Sequence, residues 1–222
     1  MNNLTRAKEP FRFYTRLNIS ELTGIKAVNL EQLLEGIRDV SGACIYHHTH
    51  RFLQQHLYLS PEPPNDFSYW IREILGEDEL AEKLASIDIL QFSTIRSLRD
   101  NIICVIKEYL KENPLSKLKF SSEDESFHFI KSRSFIFPTG YIAYDLKDFL
   151  EILKKITIDS IYFHIFEARL RLEKKNNDFS LWIGESLGNH KLALQLERVD
   201  PYTRTLEDLR KTIVNIVEKE IF

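Results

Sequence analysis

The chain is poor in the residues on which small folds and phosphate sites depend. Among 222 residues it has two cysteines, seven glycines and a single methionine. Cys44 and Cys104 cannot form a disulfide framework, and the aligned positions of a second sequence block described below hold Ser160 and Asn215, so reduced thiols are expected. So few glycines exclude a phosphate-cradling loop of the usual kind, and neither HExxH nor CxxC occurs. No apolar run approaches the roughly 18 residues of a membrane span. Neither sign of charge dominates: 30 Lys and Arg stand against 33 Asp and Glu, a net charge of −3, which argues against nonspecific nucleic-acid binding. The opening MNNLTRAKEPFRF lacks the basic-then-apolar layout of a signal peptide, so a cytoplasmic location is expected.

What the chain does have is itself, twice. Phe11, Phe13, Thr23, Gly24, Ala27, Leu30, Leu34, Ile45, Tyr46 and His48 recur 116 positions later, for example at Phe127, Gly140 and His164. The run Asn65-Asp66-Phe67-Ser68-Tyr69-Trp70-Ile71 returns as Asn177-Asp178-Phe179-Ser180-Leu181-Trp182-Ile183, now 112 positions on, so four loop residues are missing from the second copy. The expected organisation is an arm over 1–10, repeat 1 over 11–111, a linker over 112–126 marked by Pro114 and a Ser/acid-rich stretch, and a degenerate repeat 2 over 127–222.

Each copy opens with an aromatic and β-branched segment, Phe11 to Val28 and Phe127 to Tyr144, broken by Thr-Gly, which reads as a small hairpin or an extended arm. About five helices follow. The first carries Leu30, Leu33, Leu34, Ile37 and Val40, answered by Leu146, Phe149, Leu150, Leu153 and Ile156, the spacing of one buried stripe. A second is expected from about Ala43 through His56. The fold class is therefore mainly α with short β segments (α+β), as two tandem homologous helical repeats related by a pseudo-twofold, a surface that once joined two copies staying self-complementary after fusion.

The candidate chemistry lies in YHHTHRFLQQH, which holds four of the seven histidines: His47, His48, His50 and His56. On a helix His47 and His50 share a face with Arg51, while His48 falls on the core stripe with Cys44 and Phe52. His47, His50 and Asp66 make one candidate metal set, suited to Zn²⁺ or another divalent transition metal with an open position for water. Repeat 2 replaces His47 and His50 by Phe163 and Phe166 but keeps His48 as His164. A histidine present in both copies beside an Asn-Asp pair suggests a structural polar lock, made of Tyr46, His48, Asn65, Asp66 and Trp70 and of Tyr162, His164, Asn177, Asp178 and Trp182. The match of Gly184-Glu185-Ser186-Leu187-Gly188 to a nucleophile elbow is discounted, because repeat 1 has Ile74 at the serine position in a helical pattern.

The combination FxF, LTG, IYHHTHxFL, NDFxxW and LAxxLAxID resembles a prokaryotic family known only as a domain of unknown function. The resemblance covers nearly the whole chain when the echo from Phe127 is included, and it implies no activity. The residues point first to a noncatalytic module that binds a small anion or a protein partner at His47, His50, Arg51, Asn65 and Asp66, with no cofactor, no nucleic acid and no membrane, as monomer or homodimer. The alternatives are a metal-dependent hydrolase on His47, His50 and Asp66, and a structural or assembly protein marked by exposed apolar surface.

Overall fold

The structure, a computed structural model, describes residues 5–50, 65–168, 176–199 and 205–221. Two long strands, β1 (Phe11–Ala27) and β2 (Phe127–Ala143), each precede a series of helices. After β1 come α1 (Leu30–Asp39), α2 (Gly42–His50), α3 (Asp66–Glu73), α4 (Asp78–Ala85) and α5 (Ile95–Glu112). After β2 come α6 (Leu146–Leu153), α7 (Ile158–Tyr162), α8 (Asp178–Glu185), α9 (His190–Glu197) and α10 (Leu206–Ile221). Short polar side chains start the helices: Asn29, Asn65, Thr94, Asp145, Thr157, Asn177 and Asn189 each accept an amide of the first turn that has no partner within the helix. Helix α2 is followed as far as His50, and the remainder of its expected span to His56 lies outside the described residues.

Of the two forms expected, a small hairpin or an extended arm, each β segment takes the extended one, and it is longer than the short segments expected. Each is one strand of 17 residues, and β1 and β2 pair as a two-stranded sheet. The Thr-Gly step does not turn the chain. Gly24 and Gly140 take φ of 82° and 80°, open to glycine without strain. The preceding threonine supplies the local bonding: Thr23 Oγ1 accepts from the Ile25 amide at 3.1 Å and donates to the Phe129 carbonyl at 2.7 Å. Thr139 does the same with Tyr141 and Phe13, at 3.2 Å and 2.8 Å. Strand positions 23 with 129 and 13 with 139 run in opposite senses, so the pairing is antiparallel.

The described chain divides into two compact units that do not follow the repeat boundaries. The first unit holds residues 18–50 and 65–133, and the second holds 5–17 with the described residues of 134–221. Each unit thus combines the helices of one sequence copy with the opening strand half of the other. The reason is visible in the first turns of each strand, whose side chains and amides are used by the other copy's helices. In the first unit, Phe127 and Phe129 join a core of Leu30, Leu33, Ile37, Phe67, Trp70 and Ile106. In the second, Phe11 and Phe13 pack on Phe149 and Phe179. Full burial of one such ring contributes about 1.5–3 kcal/mol. The approach is close enough at Phe129 that a Cβ on Gly36 would lie 2.3 Å from the ring, so this glycine is needed for contact rather than for backbone freedom.

The segment expected to be a linker is folded onto the first unit. It forms two 3₁₀ turns, Pro114–Leu118 and Glu123–Glu125. Lys119 Nζ donates to the Gly76 carbonyl at 3.0 Å, and the Ser121 amide donates to the Val28 carbonyl at 2.8 Å.

Candidate functional site

His48 and His164 each clamp a strand to a helix start. The Ile130 amide on β2 donates to His48 Nε2 at 3.0 Å, and His48 Nδ1 lies 2.8 Å from Asp66 Oδ2 at the start of α3. The Tyr14 amide on β1 donates to His164 Nε2 at 2.9 Å, and His164 Nδ1 lies 2.8 Å from Asp178 Oδ2 at the start of α8. An amide can only donate, so each Nε2 holds its lone pair and the ring proton sits on Nδ1, directed at the carboxylate. Each histidine is therefore a neutral imidazole with both nitrogens committed. A tryptophan completes each clamp: Trp70 Nε1 donates to the Glu125 carbonyl and Trp182 Nε1 to the Glu9 carbonyl, both at 2.7 Å. Asn65 and Asn177 cap Ser68 and Ser180 with Oδ1 and reach the Leu84 and Leu196 carbonyls with Nδ2.

Around the first clamp the structure brings together His47, His48 and Asp66, whose potential ligand atoms all lie within 4.8 Å of one another. The expected trio had His50 in the place of His48. His50 is turned elsewhere: its ring stacks on Tyr46 at 5.2 Å and 12°, and its Nδ1 is 2.7 Å from Thr49 Oγ1. The Thr49 proton goes to the Ile45 carbonyl at 2.6 Å, so His50 Nδ1 is the donor of that pair. His47, His48 and His50 are 8%, 2% and 3% exposed, too buried to present an open anion-binding surface. Arg51, also expected there, lies outside the described residues. Asn65 has both ends of its amide in use, and the half-exposed Asp66 carboxylate already occupies the helix start where an anion was expected.

The second unit builds something different at the matched place. Here α7 runs into a π-helical turn, Phe163–Glu167, which carries Phe163, His164 and Phe166. Tyr162 stacks on Phe166 at 4.8 Å, repeating the Tyr46–His50 geometry with a phenyl ring in place of imidazole. Arg16 of β1 is buried, pairs with Glu167 and lies over the Tyr162 ring at 4.7 Å. The residue matching Arg16 is Ser132 of the first unit, whose buried hydroxyl has no hydrogen-bond partner among the described residues.

Beside this turn opens a pocket of about 430 Å³, lined by Pro10, Phe11, Arg12, Tyr14, Ile136, Phe163, His164 and Asp178. Its walls are mostly apolar. The sequence reading missed it because repeat 2 reads as degenerate at Phe163 and Phe166; the first of these replacements, Phe163, forms part of the pocket's aromatic wall. The positions matching Tyr14, Ile136 and Phe163 in the first unit are Ile130, Ser20 and His47, which makes that surface more polar.

A second polar cluster holds the folded-back segment of the first unit. Tyr109 makes a very short hydrogen bond to Glu77, and Lys119 pairs with Glu77 at 3.1 Å. Burial alone would raise the Glu77 carboxyl, but hydrogen bonds from Tyr109, Ser116 and Lys119 hold it below its ordinary value. Burial, together with donation to Glu77, pushes the Tyr109 phenol up to about 12. In the second unit Asn189 and Glu220 take these positions and bond at 2.9 Å, so the arrangement joins a helix start to the last helix in both units. The discounted Ser186 ends α8, its carbonyl accepting from Lys8, with Gly188 at φ 71° just beyond.

Comparison with curated proteins gives no match. A solved structure, that of OrfY from Thermoproteus tenax, is similar over 98% of this chain and 98% of its own, with a TM-score of 0.81 and 30% sequence identity. The sequence also matches a family description over residues 8–218, and on that match the chain belongs to DUF5752, a family of unknown function.

Proposed function

We propose that this protein is a noncatalytic binding module whose small-molecule site is the pocket beside the π-helical turn of the second unit. The observation that carries the reading is the pocket itself. A concave, mainly apolar volume of about 430 Å³ with a few convergent polar groups is the usual form of a ligand site. Its wall includes Phe163 of a π-helical turn, a feature frequent at functional sites. This moves the binding surface away from His47, His50, Arg51, Asn65 and Asp66.

The test uses Nile red, a neutral probe that brightens in apolar surroundings. Enhancement should saturate near one equivalent and be lost in Ile136→Arg, a change at a half-exposed position that the fold tolerates. Absence of enhancement, or enhancement indifferent to Ile136→Arg, would remove the reading.

A protein-partner role is a second reading, favoured by the apolar side chains exposed along the strands. In the second unit Leu17, Phe135, Ile136 and Phe137 are each about half exposed, and in the first unit so is Ile19, with Leu22 at 66%. Concentration-dependent sedimentation would separate self-association from a monomer.

The metal-dependent hydrolase is disfavoured on chemical grounds. For Nδ1 of His48 to bind a metal as neutral imidazole, Nε2 would have to carry a proton facing the Ile130 amide proton. That leaves only His47 and Asp66 of the trio as donors, short of the three protein ligands usual for catalytic zinc. Adding Zn²⁺ should accordingly leave the Tm unchanged, in wild type and in His47→Ala alike.

The matched bonds of His48 with His164, Trp70 with Trp182 and Asn65 with Asn177 support descent of both halves from one duplicated unit, with inherited limits 11–111 and 127–222. They also support the structural role assigned to Tyr46, Tyr162 and the other members of the polar lock.

A further inference from the structure

We infer that the ligand of this pocket is a small amphipathic monocarboxylate, with an aromatic or alkyl body against the aromatic wall and its charge held at the mouth by Arg12. This rests on the binding reading above and adds the chemistry of the ligand. The imidazole and the carboxylate that line the pocket are committed. His164 uses Nε2 to accept the Tyr14 amide and Nδ1 to donate to Asp178. The Tyr14 carbonyl accepts from Ser160 Oγ at 2.6 Å. Asp178 is mostly buried, and its charge is met by the His164 Nδ1 proton and by the start of α8.

Arg12 is the exception. It is exposed on β1, lines the pocket, and among the described residues its guanidinium has no ion pair or hydrogen bond, not even with Asp178 of the same pocket. Arg16, two turns of the pleat further on, shows what the strand does with an arginine that is needed for the fold: it is buried and paired with Glu167. A guanidinium left unpaired at the rim of an apolar pocket is matched by a carboxylate, which it can bind through two parallel N–H donors. The first unit offers an internal contrast. His128 stands at the Arg12 position, with its Nε2 3.3 Å from Ser126 Oγ, and His47 stands at the Phe163 position, so the fixed cation and one phenyl ring of the wall are replaced there.

The test compares three compounds of one skeleton, 4-phenylbutyrate, 4-phenylbutan-1-ol and 4-phenylbutylamine, titrated into the full chain and followed by amide NMR shifts. The acid should bind about tenfold more tightly than the alcohol, the amount expected for a partly exposed charge-assisted hydrogen bond. The largest shifts should fall on Phe11 to Tyr14 and on Phe163, and Arg12→Gln should bring the acid down to the affinity of the alcohol. Because Arg12 is exposed, that variant keeps the fold, which an unchanged Tm verifies. If the alcohol or the amine binds as well as the acid, or if the acid keeps its advantage in Arg12→Gln, the charge assignment is overturned while the pocket reading stands. If none of the three shifts these residues, both are overturned.

Discussion

The two units hold the same histidine–aspartate bond in opposite surroundings. Around His48 stand His47 and His50, with Ser132 at the position of the buried arginine; around His164 stand Phe163 and Phe166, with Arg16 paired to Glu167. The bond itself does not change: 2.8 Å in both, with a strand amide on the other ring nitrogen in both. A contact that persists while its neighbours change from imidazole to phenyl supports the structural role proposed for it. Function is better sought among the features that differ, and the pocket with Arg12 is one of them.

The sharpest way to break this comparison is through the ion pair that only the second unit has. Glu167→Gln removes a carboxylate that pairs with the buried Arg16 and should cost about 3 kcal/mol in urea denaturation, whereas Ser132→Ala at the matched strand position should cost almost nothing. Next come the clamps. His48→Ala and His164→Ala each strand a backbone amide and leave a hole among aromatic rings, so each should cost about 2–3 kcal/mol. A clear inequality between them would show that one clamp has a role beyond holding its strand. Gly36→Ala should follow at about 1–3 kcal/mol, since the Phe129 ring must move. The second unit has Ile152 at that position and needs no such glycine.

The smallest effect separates the units by pH. Glu77 has a folded pKa below its ordinary 4.5, so its contribution is present above that value and is lost as the pH falls through the folded one. Tyr109 is raised from 10 to about 12, so its contribution is whole below 10 and disappears as the pH rises toward 12. Amide exchange should therefore quicken in the first unit before the second at both extremes, and Tyr109→Phe should abolish the alkaline difference.

Much of the helical half of this fold is legible in the sequence. The stripe from Leu30 to Val40, the Asn65 and Asn177 caps and the placing of the last helices all depend on local period and local side-chain chemistry, which a sequence displays directly. The strands are not legible in the same way. Thr23 and Gly24 carry the composition of a turn, yet the Thr23 hydroxyl bonds to the Phe129 carbonyl of the other strand, more than a hundred residues away. The site is harder still. Four clustered histidines draw attention to α2, but the tautomer that removes His48 as a ligand is set by the Ile130 amide, which no pattern in α2 reveals. Arg12 could have been noticed as a charge whose counterpart in the other copy, His128, is of a different kind.

The exchange of strand halves has a consequence for how the chain is made. The residues of the first unit end at Arg133, so all of them are made before the helices of the second. The second unit combines residues 5–17 with the described residues of 134–221, so Phe11, Phe13 and the Tyr14 amide, made well before His164 and Asp178, lack these partners until they arrive. Contacts so distant along the chain form slowly, and during that wait the apolar start of β1 is exposed. A ribosome that stalls between the two halves would release a chain with the residues of one unit complete and one aromatic strand half lacking the helices it packs on.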